Sequence, residues 1–302
     1  MVETTVQCPA CGSTRARFLG ETQDLRFHRC GACTLVYVSP PPRERVRQKY
    51  VGEYDLAEHF GAMAGRKRVL YEGRLARLPR PQPGRNRLCD VGCADGQFLE
   101  LAASRGWRPF GIELNPPAAA AARARGAEVA VGVLEEIDDL PWGQFDLVTS
   151  WDVLEHTPDP GPFSDRLVRL LAPGGTLVVT TLNYDSLVRH AFGWTWSMVC
   201  EDHFTYWNAA SLRALFEQRG MTLQSASSFG LGRDFVVVLD RIGARRRART
   251  PEGGQPAEVQ GTPGPAATWD VNPVVLAVER ACNWLLDTTG SGVGVEAIFC
   301  RP

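Results

Sequence analysis

From residue 86 onward the chain alternates short apolar runs with helical stretches, and this alternation limits the fold more than any other feature. Strands read over 88–91, 109–114, 128–131, 145–151 and 176–181, with helices over 97–105, 116–125 and 162–171 between them. Gly106 and Gly126 close the first two helices, and Pro173-Gly174-Gly175 stops the third. Such alternation builds a parallel sheet with helices on both faces, an α/β architecture. Beyond it, Asn208 caps a helix over 209–219 and a strand follows over 221–229. Phe235, Val238, Leu239 and Ile242 fit a further helix, 274–286 another, and 293–300 a last strand.

Two stretches break the pattern. Residues 182–207 are aromatic and aperiodic, and read as an acceptor-site lid rather than core. Residues 245–270 open on Arg245-Arg246-Arg247-Ala248-Arg249 and become rich in Pro and Gly, which reads as a flexible loop. The chain divides into a metal-binding unit over 1–42, a helical connector or lid over 43–85 and a main domain over 86–302. In the connector, Val69, Leu70, Gly73, Leu75 and Ala76 recur at helical spacing. With 44% apolar residues the chain is not disordered as a whole. Its net charge of -1 gives no general pull toward nucleic acid or anionic lipid. No apolar run reaches the roughly 18 residues of a membrane span, and MVETTVQCPA does not read as a signal peptide. A cytoplasmic protein is expected.

The first strand runs into Asp90-Val91-Gly92-Cys93-Ala94-Asp95-Gly96. Glycines here let the backbone turn sharply and approach a ligand at the mouth of the sheet. Glu113 ends the next strand, where a carboxylate can accept both hydroxyls of a ribose. No Lys-Ser/Thr pair follows the glycines, so this is not a Walker phosphate loop. The spacing Gly92-x-x-x-Gly96 also departs from the dinucleotide pattern GxGxxG.

Over roughly residues 60–230 the chain resembles the class I S-adenosylmethionine-dependent methyltransferases. The resemblance rests on DVGCADG, GIEL, FDLVTSWDVLEHTPDP and LLAPGGTLVVTTLNYDS. It implies a Rossmann-like, seven-stranded, mostly parallel sheet and S-adenosylmethionine as cofactor. It places Gly92, Cys93, Ala94 and Gly96 against the methionine part and Asp90 near its amino group. Glu113 and Leu114 fall at the ribose, Val133 and Leu134 beside adenine, and Trp151 and Asp152 in the methyl-donor pocket.

Nine cysteines are many for a cytosolic chain, where disulfides are rare. Cys8, Cys11, Cys30 and Cys33 form CxxC…CxxC with 18 residues between the pairs. Four thiolates suit a closed tetrahedral structural zinc, standing in for the core that so short a unit cannot build. The unit, followed by LVYVSPPP, is similar to N-terminal modules of small-molecule methyltransferases in secondary-metabolite and glycan pathways, including deoxysugar C-methyltransferases. In those the module helps form the acceptor site. They carry a further C-terminal domain for which this chain has no room, a departure that bears on a sugar-nucleotide acceptor.

Five histidines offer a base near neutral pH. His28 lies inside the cysteine loop, and His59 in the connector. His156 follows the fourth strand. It reads as a base, as a loop-ordering residue, or with Asp152 and Glu155 as a divalent-cation site like that of the quinone O-methyltransferases this segment resembles. His203 lies in Glu201-Asp202-His203-Phe204-Thr205-Tyr206, where an adjacent acid raises basicity. The resemblance to the deoxysugar enzymes makes Asp202-His203 the favoured base pair. Tyr184, Asp185 and Tyr206 are expected acceptor contacts. The expected reaction is methylation of a small molecule, a natural product or sugar, on oxygen, with carbon or nitrogen as the alternative. An rRNA methyltransferase needs a basic face and stacking aromatics, which the net charge opposes.

Overall fold

A computed structural model of the chain describes residues 6–48, 64–137, 140–230 and 285–302. His59, the helix read at 235–242, the arginine run and its loop, and most of the helix read over 274–286 lie outside the described residues.

The expected alternation folds as a seven-stranded sheet. Its strands are β4 (Arg87–Val91), β5 (Arg108–Glu113), β6 (Glu128–Val131), β7 (Phe145–Trp151), β8 (Leu171–Leu182), β10 (Thr222–Phe229) and β11 (Gly294–Cys300), in the order β10-β11-β8-β7-β4-β5-β6. β4, β5, β6, β7 and β8 pair in parallel, and β11 runs antiparallel to both its neighbours. This is the α/β, Rossmann-like, mostly parallel sheet that the sequence implies. The Pro-Gly-Gly run does not end an element. It sits inside β8, where the register with β7 slips between Phe145 and Leu147 and Gly174 N donates to Arg301 O.

Helices α3 (Gln97–Ser104), α4 (Pro116–Ala124), α5 (Pro160–Leu170) and α7 (Ala209–Glu217) cover the sheet. Asn115 caps α4 by accepting from Ala118 N, and Asn208 forms a capping box with Ser211 on α7. Helix α4 buries only the small residues Ala118, Ala119 and Ala122. That stripe lets it approach the loop after β4 closely. A Cβ on Gly96 stands 2.7 Å from the backbone of Ala122, and Gly96 also holds φ +78, so this position requires glycine.

The N-terminal unit is not a separate appendage. β1 (Ala16–Thr22), β2 (Leu25–Cys30) and β3 (Val36–Val38) form an antiparallel sheet whose fourth strand is β9 (Thr205–Tyr206), from the aromatic insertion. Cys8, Leu35 and Tyr37 share a packed core with Val91, Leu154 and Trp207. Helix α1 (Arg43–Gln48) is tied to the main sheet's loops by Arg43 to Asp159 and by Arg47 to Glu136. Helix α2 (Ala64–Arg77) packs on α3, and a short α6 (Leu187–Phe192) crosses the insertion. Among the described residues no helix is long and apolar enough to cross a membrane.

Candidate active site

The C-terminal ends of β4, β5 and β7 lie together at one edge of the sheet, as parallel strands require. Asp90, the penultimate residue of β4, is buried, and its Oδ1 accepts from Thr149 Oγ1 on β7 at 2.7 Å. Burial pushes its carboxyl up to about 8, against the opposing pull of that hydroxyl. The chain then turns back over β5, with Gly92 N and Cys93 N both donating to Ile112 O. Gly92 has φ +79, and a Cβ there collides with Val153. Ala94 also has positive φ, and its N–H donates to Glu113 Oε2 at 2.8 Å. Asn115 N donates to Glu113 Oε1 at 2.8 Å. One carboxylate thus braces both the glycine loop and the start of α4. Burial raises its pKa, against those N–H bonds. Leu114 and Val133 are half-buried and Leu134 is buried.

Trp151 is buried at the end of β7, its ring 5.1 Å from Phe98. Asp152 is exposed, with φ +56. Its N–H donates to Thr180 O at 3.1 Å, and its Oδ1 accepts from Thr180 Oγ1 at 2.8 Å.

Three residues of this edge escaped the sequence reading. Lys67, Tyr71 and Arg74 lie on α2 at helical spacing and meet the sheet edge. Tyr71 packs edge-on to Phe98 at 5.4 Å, and Arg74 Cζ lies 4.5 Å from the Trp151 ring. Arg74 is buried against the equally buried Glu296. Burial pushes Lys67 down to about 8, while Asp152 and Asp95 oppose that shift. Of the apolar residues that suggested the helix, Leu75 is buried but Leu70 is exposed. The buried face of α2 is therefore partly charged. The available signal was the i, i+4, i+7 spacing of these three polar residues.

Beyond Asp152 a single 3₁₀ turn, Leu154–His156, carries Glu155 and His156 under His203. Ligand atoms of Glu155, His156 and His203 lie within 4.8 Å of one another, and the two imidazole centroids are 4.8 Å apart. Each ring is held at Nδ1 by a carbonyl: His156 by Asp202 O at 2.8 Å and His203 by Met198 O at 2.7 Å. A carbonyl only accepts, so each Nδ1 carries hydrogen, and in the neutral ring Nε2 carries the lone pair. Burial, and then His156, push the basicity of His203 down. Glu155 accepts from Thr181 Oγ1 at 2.8 Å, and burial pushes its carboxyl up to about 7.

The ring of His203 is oriented by the Met198 carbonyl, and Asp202 meets His156 through its backbone oxygen. Against the burial that lowers the basicity of His203, the Asp202 charge raises it as expected. One sequence expectation is corrected here. The third member of the possible cation group is His203 rather than Asp152, whose carboxylate is turned to Thr180. Tyr206 lies 6.3 Å from the His203 ring, and Tyr184 lies 6.1 Å from Tyr206. Asp185 stands apart, accepting from Asn208 and lining a cavity of about 290 Å³ with Ser228 and Asp287.

The four cysteines of the N-terminal unit come together as their spacing implies. Their Sγ atoms lie within 4.8 Å, with Cys8 to Cys33 at 3.5 Å and Cys11 to Cys30 at 3.6 Å. A tetrahedron of Zn–S bonds of about 2.3 Å has edges of about 3.8 Å, so the set fits zinc. Backbone N–H groups of Ala32 and Cys33 donate to Cys30 Sγ, as a thiolate requires. The Cys8 thiol is pushed down to about 5, chiefly by its hydrogen bond with Cys33.

A family model described as a methyltransferase domain matches residues 63–226. A ubiquinone biosynthesis O-methyltransferase of Xanthomonas oryzae pv. oryzae is 40% identical over 103 residues, 32% of this chain and 43% of that enzyme. One of Alkalilimnicola ehrlichii is 38% identical over 103 residues, 32% of this chain and 42% of that enzyme. The matched segment thus spans less than half the length of these relatives. Among solved structures, geranyl diphosphate C-methyltransferase of Streptomyces coelicolor A3(2) superposes with TM-score 0.54 at 14% identity, over 87% of this chain and 99% of that one. A possible histamine N-methyltransferase of Thermotoga maritima gives 0.51 at 16% identity, over 85% and 99%. At such identities these structures show the shared fold.

Proposed function

The chain belongs to the methyltransferase-domain family as an S-adenosylmethionine-dependent enzyme, and from that premise we propose that it methylates a small molecule, a natural product or sugar, on oxygen. The observation that carries this reading is the cluster of buried Glu155 and His203 with half-buried His156, whose first member lies four residues beyond Trp151, the last residue of β7. The O-methyltransferase relatives support oxygen as acceptor.

When bound, the cofactor supplies a sulfonium-activated methyl group. Glu113 spends one lone pair per oxygen on Ala94 N and Asn115 N, and keeps others for the two ribose hydroxyls. Gly92, Cys93, Ala94 and Gly96 shape the loop around the methionine part, with Asp90 at its amino group. Leu114, Val133 and Leu134 flank the nucleoside. Trp151 and Asp152 line the donor end, and Tyr71 and Lys67 close it from α2. Positioning and exclusion of water carry most of such a transfer.

His203 is the base. Its lowered basicity keeps it neutral at pH 7, and its Nε2 lone pair accepts the acceptor's proton. His156, held by the backbone oxygen of Asp202, supports it, and Tyr206 and Tyr184 contact the acceptor. Cys8, Cys11, Cys30 and Cys33 hold a structural zinc.

In the test, His203→Ala lowers turnover by about 10²–10⁴-fold with S-adenosylhomocysteine affinity nearly unchanged; full turnover rejects His203 as base. A second reading, favoured by the two carbonyl-held rings, makes Glu155, His156 and His203 a divalent-cation site. It predicts a metal per chain beyond the cysteine-bound one and turnover that falls on chelation. Turnover independent of that second metal removes it.

A further inference from the structure

We infer that the four-cysteine unit acts on the reaction by fixing where His203 stands relative to Glu155, and that Thr205 is the positioning residue through which it does so. The inference rests on reading the His203 cluster as the proton-accepting site.

The connection begins at the cysteines. Cys30 N donates to Leu35 O, which leads directly into β3. β3 pairs with β9 through Val36 with Tyr206 and Tyr37 with Thr205, and Val38 N donates to Phe204 O at 2.9 Å. β9 starts two residues after His203. Its other side is fastened to the turn that carries Glu155 and His156. Phe204 N donates to Glu155 O at 2.8 Å, and Thr205 Oγ1 donates to Leu154 O at 3.0 Å. The Thr205 hydroxyl also accepts from Trp207 Nε1 at 2.8 Å, and Thr205 is fully buried. Residues 204 and 205 therefore strap the cysteine sheet to the Glu155 turn, with His203 at the end of the strap.

A two-residue strand has too few ladder bonds to fix its own register. The buried hydroxyl, bonded in both directions, supplies the missing constraint. A proton acceptor displaced by a fraction of an ångström loses rate without any change in cofactor binding.

The test uses the full chain with its metal bound. Thr205→Val removes the hydroxyl at nearly constant volume, and Thr205→Ser keeps it. In Thr205→Val we expect the His203 ring resonance to shift, turnover to fall about tenfold or more, and S-adenosylhomocysteine affinity to stay within about twofold. Thr205→Ser restores the wild-type resonance and turnover. Removing the cysteine-bound metal by Cys8→Ser, with no chelator that would also reach a cation at His203, moves the same His203 resonance, and this arm decides if Thr205→Val does not fold. An unmoved resonance in Thr205→Val, or in Cys8→Ser, overturns the inference. The underlying reading stands or falls separately, on turnover of His203→Ala.

Discussion

Asp90→Asn separates what stabilises this molecule from what makes it bind. Asp90 is buried and its carboxyl is raised from 3.8 to about 8, so the empty protein holds it mostly protonated at pH 7. In the unfolded chain the same group is ionised. Folding at pH 7 therefore takes up a proton about three pH units above the ordinary pKa, at a cost of about 4 kcal/mol. An amide carries no such penalty, and its oxygen can still accept from Thr149. Asp90→Asn should raise the stability of the cofactor-free protein, by about 4 kcal/mol as an upper limit. A raised acid contributes stability that is fully present below the unfolded pKa and is lost as pH climbs toward the folded one. The variant's advantage should thus be near zero at pH 4, grow through pH 5–8 and level off above about 8. The slope from Glu155 has the same sign in both proteins and cancels in the difference. Cofactor binding should move the other way. S-adenosylmethionine carries positive charge and favours ionised Asp90, so wild-type affinity should rise with pH up to about 8, and the amide should weaken binding by about tenfold or more. Denaturant melts at several pH values with and without S-adenosylhomocysteine, together with calorimetry, read both quantities. A stability difference that stays constant between pH 5 and 8, or unchanged affinity in the amide, refutes the reasoning.

Other perturbations act on single contacts. Gly96→Ala places a methyl group 2.7 Å from the Ala122 backbone at φ +78, and should cost about 1–3 kcal/mol in a melt and weaken cofactor binding. Arg74→Met should destabilise by about 1–3 kcal/mol, because buried Glu296 keeps only the exposed Arg77 as its ion-pair partner, and adding Glu296→Gln should recover much of the loss. Additive losses in that double variant contradict a buried pair. Cys8→Ser should reduce bound zinc, read by elemental analysis, and lower the melting temperature; unaltered metal content contradicts the four-thiolate assignment.

What was legible in the chain was what is local. Gly92 and Gly96 sit where the backbone takes positive φ, and Asn208 caps the helix that its spacing implies. The cysteine pairs could be read because two CxxC knuckles need no knowledge of the rest of the fold. The charged face of α2 was not legible, because Lys67 and Arg74 on a helix normally read as solvated, and it takes Trp151, Phe229 and Glu296, all distant in sequence, to bury Arg74. The Glu155–His203 contact joins distant segments. Adjacency of Asp202 and His203 suggested a pairing, but in an irregular turn consecutive residues point differently and the Met198 carbonyl takes the ring nitrogen. β9 is two residues long, too short to show any periodicity.

The partnership of β3 with β9 also governs how the molecule comes into being. The N-terminal sheet borrows its last strand from the aromatic insertion of the main domain. During synthesis the leading segment emerges with a bare hydrogen-bonding edge, and it waits for most of the catalytic fold to follow before that edge is covered. Excised alone, it would present that edge to other copies of itself, so the leading segment and the catalytic fold are best inherited, expressed and engineered as one piece.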